Sequence, residues 1–170
     1  MGEVDHSFCS RNSNSNSTNP PLHIAVMAFP FGTHAAPLLN ITRRLAAAAP
    51  EATFSFFSTA KSNRSVFSSS GDALLLRQHN VKAYDITDGI PDGYHFTGRP
   101  QESIELFLEA TPGNFKEGFE EAVAEMGKKT TCVLSDAFLW CAAVMADELR
   151  RPVGSHLVVC ALLSVHPPPH

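Results

Sequence analysis

The sequence predicts an α/β domain: a parallel sheet with helices on both faces. Two observations carry this prediction. Four runs of strand length, HIAVMAF, ATFSFFS, NVKAYDI and TTCVLSD, alternate with stretches whose apolar residues recur at helical spacing. HIAVMAF in particular is continuously apolar rather than alternating, as expected of a strand covered on both faces. Regular strand–helix–strand order then places the helices in the connections between parallel neighbours.

Taken in order, Met1 to Pro21 is polar and contains RNSNSNSTNPP, without the apolar segment of a signal peptide. Such composition cannot offset the entropy of ordering, so residues 1–21 are expected to be a disordered leader. Order is expected from Leu22. The first strand covers His23 to Phe29, and a helix follows from about Ala35 to Ala49, stopped by Pro50. Ala52 to Ser58 is the second strand, and TAKSNRSVFSSSG holds a short helix before Gly71. Asn80 to Ile86 is a third strand, and TDGIPDGYHFTGRP is a long loop. SIELFLEATPGNFKEGFEEAVAEMG reads as helix, with Pro112 and Gly113 expected to break or kink it. Thr130 to Asp136 is the fourth strand, and a helix is expected from Phe138 to Leu149.

At 170 residues the chain is about one domain, able to bury roughly two-thirds of its unfolded surface. Its net charge of −4 gives no reason to expect nucleic acid as a partner. No run approaches the ~18 apolar residues of a membrane span. Cys9, Cys132, Cys141 and Cys160 form no CxxC pair and show no metal-ligand spacing. They read as reduced thiols, which suits a cytoplasmic protein.

In open parallel sheets, ligands sit beyond the carboxyl ends of the strands. Two polar residues stand at such ends: His34 after the first strand and Asp136 at the end of the fourth. An imidazole titrates near neutrality and is a competent general base. A carboxylate on its second nitrogen fixes the tautomer and stabilises the imidazolium formed. No GxSxG occurs, so such a pair would deprotonate a substrate hydroxyl rather than an enzyme serine. The structural alternative is that His34 merely starts a helix and Asp136 caps one. Gly32 and Thr33 offer a backbone N–H and a hydroxyl to an anion at the helix start. Neither GxGxxG nor GxxxxGK[ST] is present. His79, His95 and His156 read as surface or loop histidines, and His166 and His170 lie in a proline-rich tail. FSFF and FLW read as packing residues, with Phe138 placed to line a cleft because it follows Asp136 so closely.

Three long blocks, taken together, resemble a known family: HIAVMAFPFGTHAAPLLNITRRLAAAAPEATFSFFST, NVKAYDITDGIPDGYHFTGRPQESIELFLEATP and CVLSDAFLWCAAVMADEL. They resemble the amino-terminal domain of plant UDP-dependent glycosyltransferases, in the flavonoid and anthocyanidin 3-O-glucosyltransferase branch. The resemblance covers Leu22 to Leu149. It implies a GT-B architecture of two Rossmann-like domains, with the acceptor mainly on the amino-terminal one and the sugar nucleotide mainly on the other. It further implies that His34 of FPF-x-TH deprotonates the acceptor hydroxyl, that Asp136 of xxDAF orients and balances it, and that the anomeric centre inverts. By the same matching Gln101 of GRPQE and Phe138 are acceptor-pocket residues, Thr33 borders the reacting centre, and Gly32 stands where relatives commonly have serine. No resident cofactor or metal is implied; the co-substrate is a UDP-sugar, UDP-glucose by family, and the acceptor a flavonoid-like small molecule.

The end of the chain departs from this pattern. Relatives continue with a strand like GVPWVPFWTAGP and later a UDP-binding block with HCGWNS, whereas this chain reads RRPVGSHLVVCALLSVHPPPH. Read one base later, synonymous codons for residues from Arg151 permit Val-Pro-Trp-Val-Pro-Thr-Trp-Trp-Ser. The expected organisation is therefore an acceptor-binding domain over 22–150 and a divergent, frameshifted tail over 151–170. A true alternative terminus is the competitor, and the gene sequence past codon 150 decides between them. Without the donor-binding domain the chain is expected to be inactive alone, with association through the face that domain would cover. The alternative reading is a non-catalytic module that binds small phenolics or another protein.

Overall fold

The computed structural model describes residues 22–68, 80–150 and 158–162. Nine elements follow in order: β1 (His23–Met27), α1 (Ala35–Ala48), β2 (Thr53–Thr59), α2 (Ala60–Ser68), β3 (Val81–Ile86), α3 (Glu102–Met126), β4 (Cys132–Asp136), α4 (Ala142–Arg150) and β5 (Val158–Leu162). All five strands are parallel, in the order β3-β2-β1-β4-β5. β1 therefore has β2 on one side and β4 on the other, and the chain changes direction across the sheet between them. The expected leader, and the expectations for His79, His156, His166 and His170, lie outside the described residues.

Period-two alternation sends successive strand residues to opposite faces, and here both faces are apolar. Ala25 and Met27 of β1 join Phe57, Tyr84, Ile86 and Val133 beneath α3 and α4. Val26 of β1 and the following Ala28 join Phe54, Phe56 and Leu134 beneath α1, which contributes Leu38, Leu39 and Ala46. Phe57 is the centre of the first face: its ring stacks on Tyr84 at 5.2 Å and meets Phe119 edge-on at 4.9 Å. Gly118 makes this approach possible, since a Cβ there would lie 3.1 Å from both Phe57 Cδ1 and Ile86 Cγ2.

Three boundaries differ from the sequence expectation. α3 runs unbroken through Pro112 and Gly113 for 25 residues. A proline inside a helix costs about 3 kcal/mol, but Phe107, Thr111, Phe115, Phe119 and Ala122 form one buried stripe spanning both sides of it. The Thr111 hydroxyl also donates to the Phe107 carbonyl at 2.7 Å, in the turn that the proline enters. α4 begins at Ala142 rather than Phe138, because residues 137–141 form a turn held by Leu139 N–H on Asp136 O. Finally, the stretch expected to be only a divergent tail supplies β5, which pairs with β4 from Cys132↔Val158 to Asp136↔Leu162.

The long loop after β3 is fastened to the start of α3. The buried Glu102 carboxylate accepts from Tyr94 Oη at 2.6 Å and from Thr97 N and Oγ1 at 2.8 and 3.0 Å. These bonds, the Tyr94 one foremost, hold its pKa below the ordinary carboxylate value. Arg99 pairs with Glu105 through both guanidinium nitrogens. Gly89, at φ +76°, lies against the helix where a Cβ would come 2.6 Å from Leu106 O. At the opposite end of the sheet His23 is fully buried, with Nε2 2.9 Å from Ser55 Oγ. Desolvation, assisted by the nearby Lys128 charge, lowers the His23 pKa. Among the described residues no helix is long and apolar enough to cross a membrane.

Phe57→Ala removes a fully buried ring between two elements and is expected to cost about 3–5 kcal/mol, read as a lower urea midpoint. Acidification is expected to destabilise the fold in two windows. His23 is held neutral, so stability falls as pH drops below 6.5 towards its lower folded value, and His23→Gln flattens that limb. Glu102 is held ionised, so its contribution is full above 4.5 and lost as pH falls through its depressed folded value; Glu102→Gln removes that second limb. Chemical denaturation of each variant between pH 3 and 8 measures both, and an unchanged pH profile in either variant refutes that assignment.

Candidate active site

The site is built where β1 and β4 end side by side. Their register pairs Met27 with Ser135, so the segments leaving the two strands rise together at one rim. From β1 the chain passes through buried Phe29 and then turns at Gly32, whose φ of +62° is one that glycine adopts without a Cβ penalty. The turn delivers His34 to the N-cap position of α1, where its side chain makes no capping bond and is left for other use. β4 ends on Asp136 itself.

His34 Nδ1 lies 3.1 Å from Asp136 Oδ2. A carboxylate only accepts, so Nδ1 carries the proton and Nε2 presents its lone pair. The other carboxylate oxygen, Oδ1, accepts from Phe138 N at 2.9 Å, which fixes the rotamer of Asp136 from behind. Asp136 is thus the pivot of a tight turn, and the helix after it starts too late for it to be that helix's cap. The carboxylate is sheltered at 8% side-chain exposure, while the imidazole is reachable at 21%. Two phenyl rings hold the imidazole in place: Phe29 and Phe138 stack on each other at 5.3 Å, and His34 meets their edges or faces at 5.3 and 4.7 Å. The arrangement is a partly exposed imidazole held by a carboxylate and flanked by two phenyl rings.

Among the residues singled out from the sequence, His34, Asp136 and Phe138 come into direct contact, and Gly32 lies beside the His34 ring. Phe138 is half exposed at 53%. Thr33 is exposed and, with Gly32, forms the lip of a cavity of about 1180 Å³ at the ends of β1, β2 and β3. Gln101 stands apart, at the N-cap of α3, with an exposed side chain that makes no capping bond. His95 is exposed in the loop after β3, as expected. Phe29 was not singled out, although it is the ring on which Phe138 and His34 both rest; its only sequence signal is an aromatic residue immediately after a buried strand. No group of three or more His, Cys, Asp or Glu among the described residues is placed to hold a metal ion.

No family model matches the chain. It is 58% identical over 133 residues to an anthocyanidin 3-O-glucosyltransferase of Vitis vinifera, covering 78% of this chain and 28% of that protein. It is also 58% identical over 128 residues to a flavonol 3-O-glucosyltransferase of Arabidopsis thaliana, covering 75% of this chain and 27% of that one. Among solved structures, a UDP-glucose:anthocyanidin 3-O-glucosyltransferase in complex with UDP superposes with a TM-score of 0.71 at 35% identity, covering 83% of this chain and 30% of that one. The chain thus spans little more than a quarter of the length of the curated relatives it matches. Sequence and fold together make this chain a homologue of the amino-terminal, Rossmann-like half of the GT-B fold of plant flavonoid and anthocyanidin 3-O-glucosyltransferases.

Proposed function

We propose that this domain is the acceptor-side half of an inverting UDP-sugar-dependent glucosyltransferase acting on a hydroxyl of a flavonoid-like phenol. The observation that carries the reading is the His34–Asp136 pair, whose geometry leaves Nε2 free to take a proton. The acceptor O–H transfers its proton to Nε2, and the oxygen attacks the anomeric carbon of the sugar. The bond from that carbon to the diphosphate breaks, UDP leaves with the electron pair, and the configuration inverts. Asp136 offsets the positive charge that develops on the imidazole. The half-exposed ring of Phe138, backed by the buried Phe29 ring on which it stacks, suits a flat aromatic acceptor, and Thr33 and Gln101 are assigned to its edges. The donor's uridine and diphosphate fall to a second domain. Cytoplasmic residence belongs to the same reading and is supported by the buried free thiol of Cys141.

One further reading is that this surface binds a phenol without turning it over, as the half-exposed ring of Phe138 would allow. Two preparations separate these: the chain alone, and the chain continued from Arg150 with the remainder of the Vitis vinifera relative. The chain alone is expected to bind a flavonol and to show no transfer from UDP-glucose. The continued chain is expected to transfer glucose, with His34→Ala lowering kcat by about 10²–10⁴-fold. Asp136→Asn, which retains the shape but not the charge, is expected to lower it by a similar order. Turnover that survives His34→Ala would sink the proposed role of the dyad.

A further inference from the structure

The turn at Gly32 lies against one edge of the imidazole, where a Cβ would come 3.8 Å from His34 Cδ2. Cδ2 is the carbon bonded to Nε2, so the free-nitrogen side of the ring is the side of Gly32. Gly32 and Thr33 share a cavity with Ile90 of the loop after β3 and Ser103 of α3. The start of α3 also packs on the segment that carries the base. The Phe107 ring centre lies 5.5 Å from that of Phe31 and 6.1 Å from that of Phe29.

Gln101 falls between Ile90 and Ser103 in the chain, and its backbone is held from both sides. Glu102 N donates to Arg99 O at 3.2 Å, and Glu105 N donates to Gln101 O at 2.9 Å. The Gln101 side chain is exposed and makes no capping bond, so its amide can both donate and accept. The loop before it contains three glycines at positive φ, Gly89, Gly93 and Gly98, and such a chain has much freedom unless it is tied. Glu102 ties it. An exposed glutamate in the first turn would complement the helix dipole equally well. Here the residue is 2% exposed and accepts from Tyr94 Oη and from Thr97 N and Oγ1. Burying a carboxylate is costly unless hydrogen bonds offset the lost water. Those bonds all come from the loop, so the arrangement fixes the loop to the helix rather than starting the helix.

We propose that Glu102 is a positioning residue for the acceptor: its carboxylate latches the loop to α3 and so holds the Gln101 amide towards a polar edge of the phenol. The inference rests on the acceptor-side reading above. Glu102 acts through Gln101 and touches no reacting atom. A loop released from this latch costs the acceptor the entropy of ordering it on binding.

The test is calorimetric titration of the full chain with a flavonol, for Glu102→Gln, Tyr94→Phe, Gln101→Ala and the double variants with Gln101→Ala. Glu102→Gln replaces one accepting oxygen by a donor and is expected to weaken binding by about tenfold, and Tyr94→Phe by about threefold. In the Gln101→Ala background either substitution is expected to change affinity by less than about twofold, because the contact it positions is already gone. Circular dichroism confirms that each variant is folded, and Tyr94→Phe tests the same latch without altering the buried carboxylate. Unchanged affinity in Glu102→Gln and Tyr94→Phe overturns the proposal. So do equal losses with and without Gln101, the result of a merely structural role. In the continued chain the flavonol KM is expected to rise by the same factors, with kcat held within about twofold. His34-dependent transfer with a KM indifferent to Glu102 and Tyr94 refutes this inference alone. Coupled effects of Glu102 and Gln101 on binding without His34-dependent transfer refute the catalytic reading alone.

Discussion

Everything at the candidate site depends on one backbone fact: β1 and β4 are hydrogen-bonded neighbours in parallel register. Parallel pairing makes both strands end at the same rim, and the pairing of Met27 with Ser135 makes them end level. A hydrogen bond of 3.1 Å between residues 102 positions apart is possible only because of that register. A slip by one residue would turn Asp136 to the opposite face of the sheet. The two apolar faces prevent such a slip, because Val133 and Leu134 are buried in different layers and would have to exchange them.

The dyad is then refined by short-range devices. Gly32 turns the chain sharply enough to bring His34 back over the strand ends, and the Phe138 N–H holds the Asp136 carboxylate from the side away from the imidazole. Each oxygen of the carboxylate has a fixed partner, so its orientation costs little further entropy when a ligand arrives. The flanking rings pack on the imidazole, which stays accessible while the carboxylate behind it is buried. The imidazole is thus held in place by packing rather than by a deep pocket. Across the rim the loop after β3 is held just as firmly by Glu102 and Gly89, so the cavity lies between two fastened walls.

The strands and α1 were legible because their signals are local. HIAVMAF and ATFSFFS bury both faces, and Pro50 marks the stop after α1. His34 and Asp136 were legible as candidates because strand ends in a parallel sheet are where ligands bind. The errors fall where tertiary contacts override a local rule. Pro112 predicts a break, yet the stripe from Phe107 to Ala122 packs on the sheet on both sides of it and keeps one helix. Phe138 reads as the first residue of a helix, yet the Asp136 side chain captures its N–H and draws it into a turn. β5 was missed because the stretch around it reads as divergent, although VVCAL is apolar enough to pair along β4. Glu102 gave no sign of its role, since a glutamate early in a helix is ordinary and its partners Tyr94 and Thr97 lie in a loop.

The sequence by itself determined the layer architecture, the order of the first four strands and the placing of His34 and Asp136 at strand ends. Those follow from periodicity and residue chemistry, which act over a few positions. Only the tertiary structure decided that His34 and Asp136 touch, that Phe29 and Phe138 hold the imidazole, and that Arg43, Lys61 and Arg64 share one cavity with Thr33. These are meetings between residues on different elements. Their geometry is set by strand order, register and packing across the whole sheet, and no local pattern encodes it.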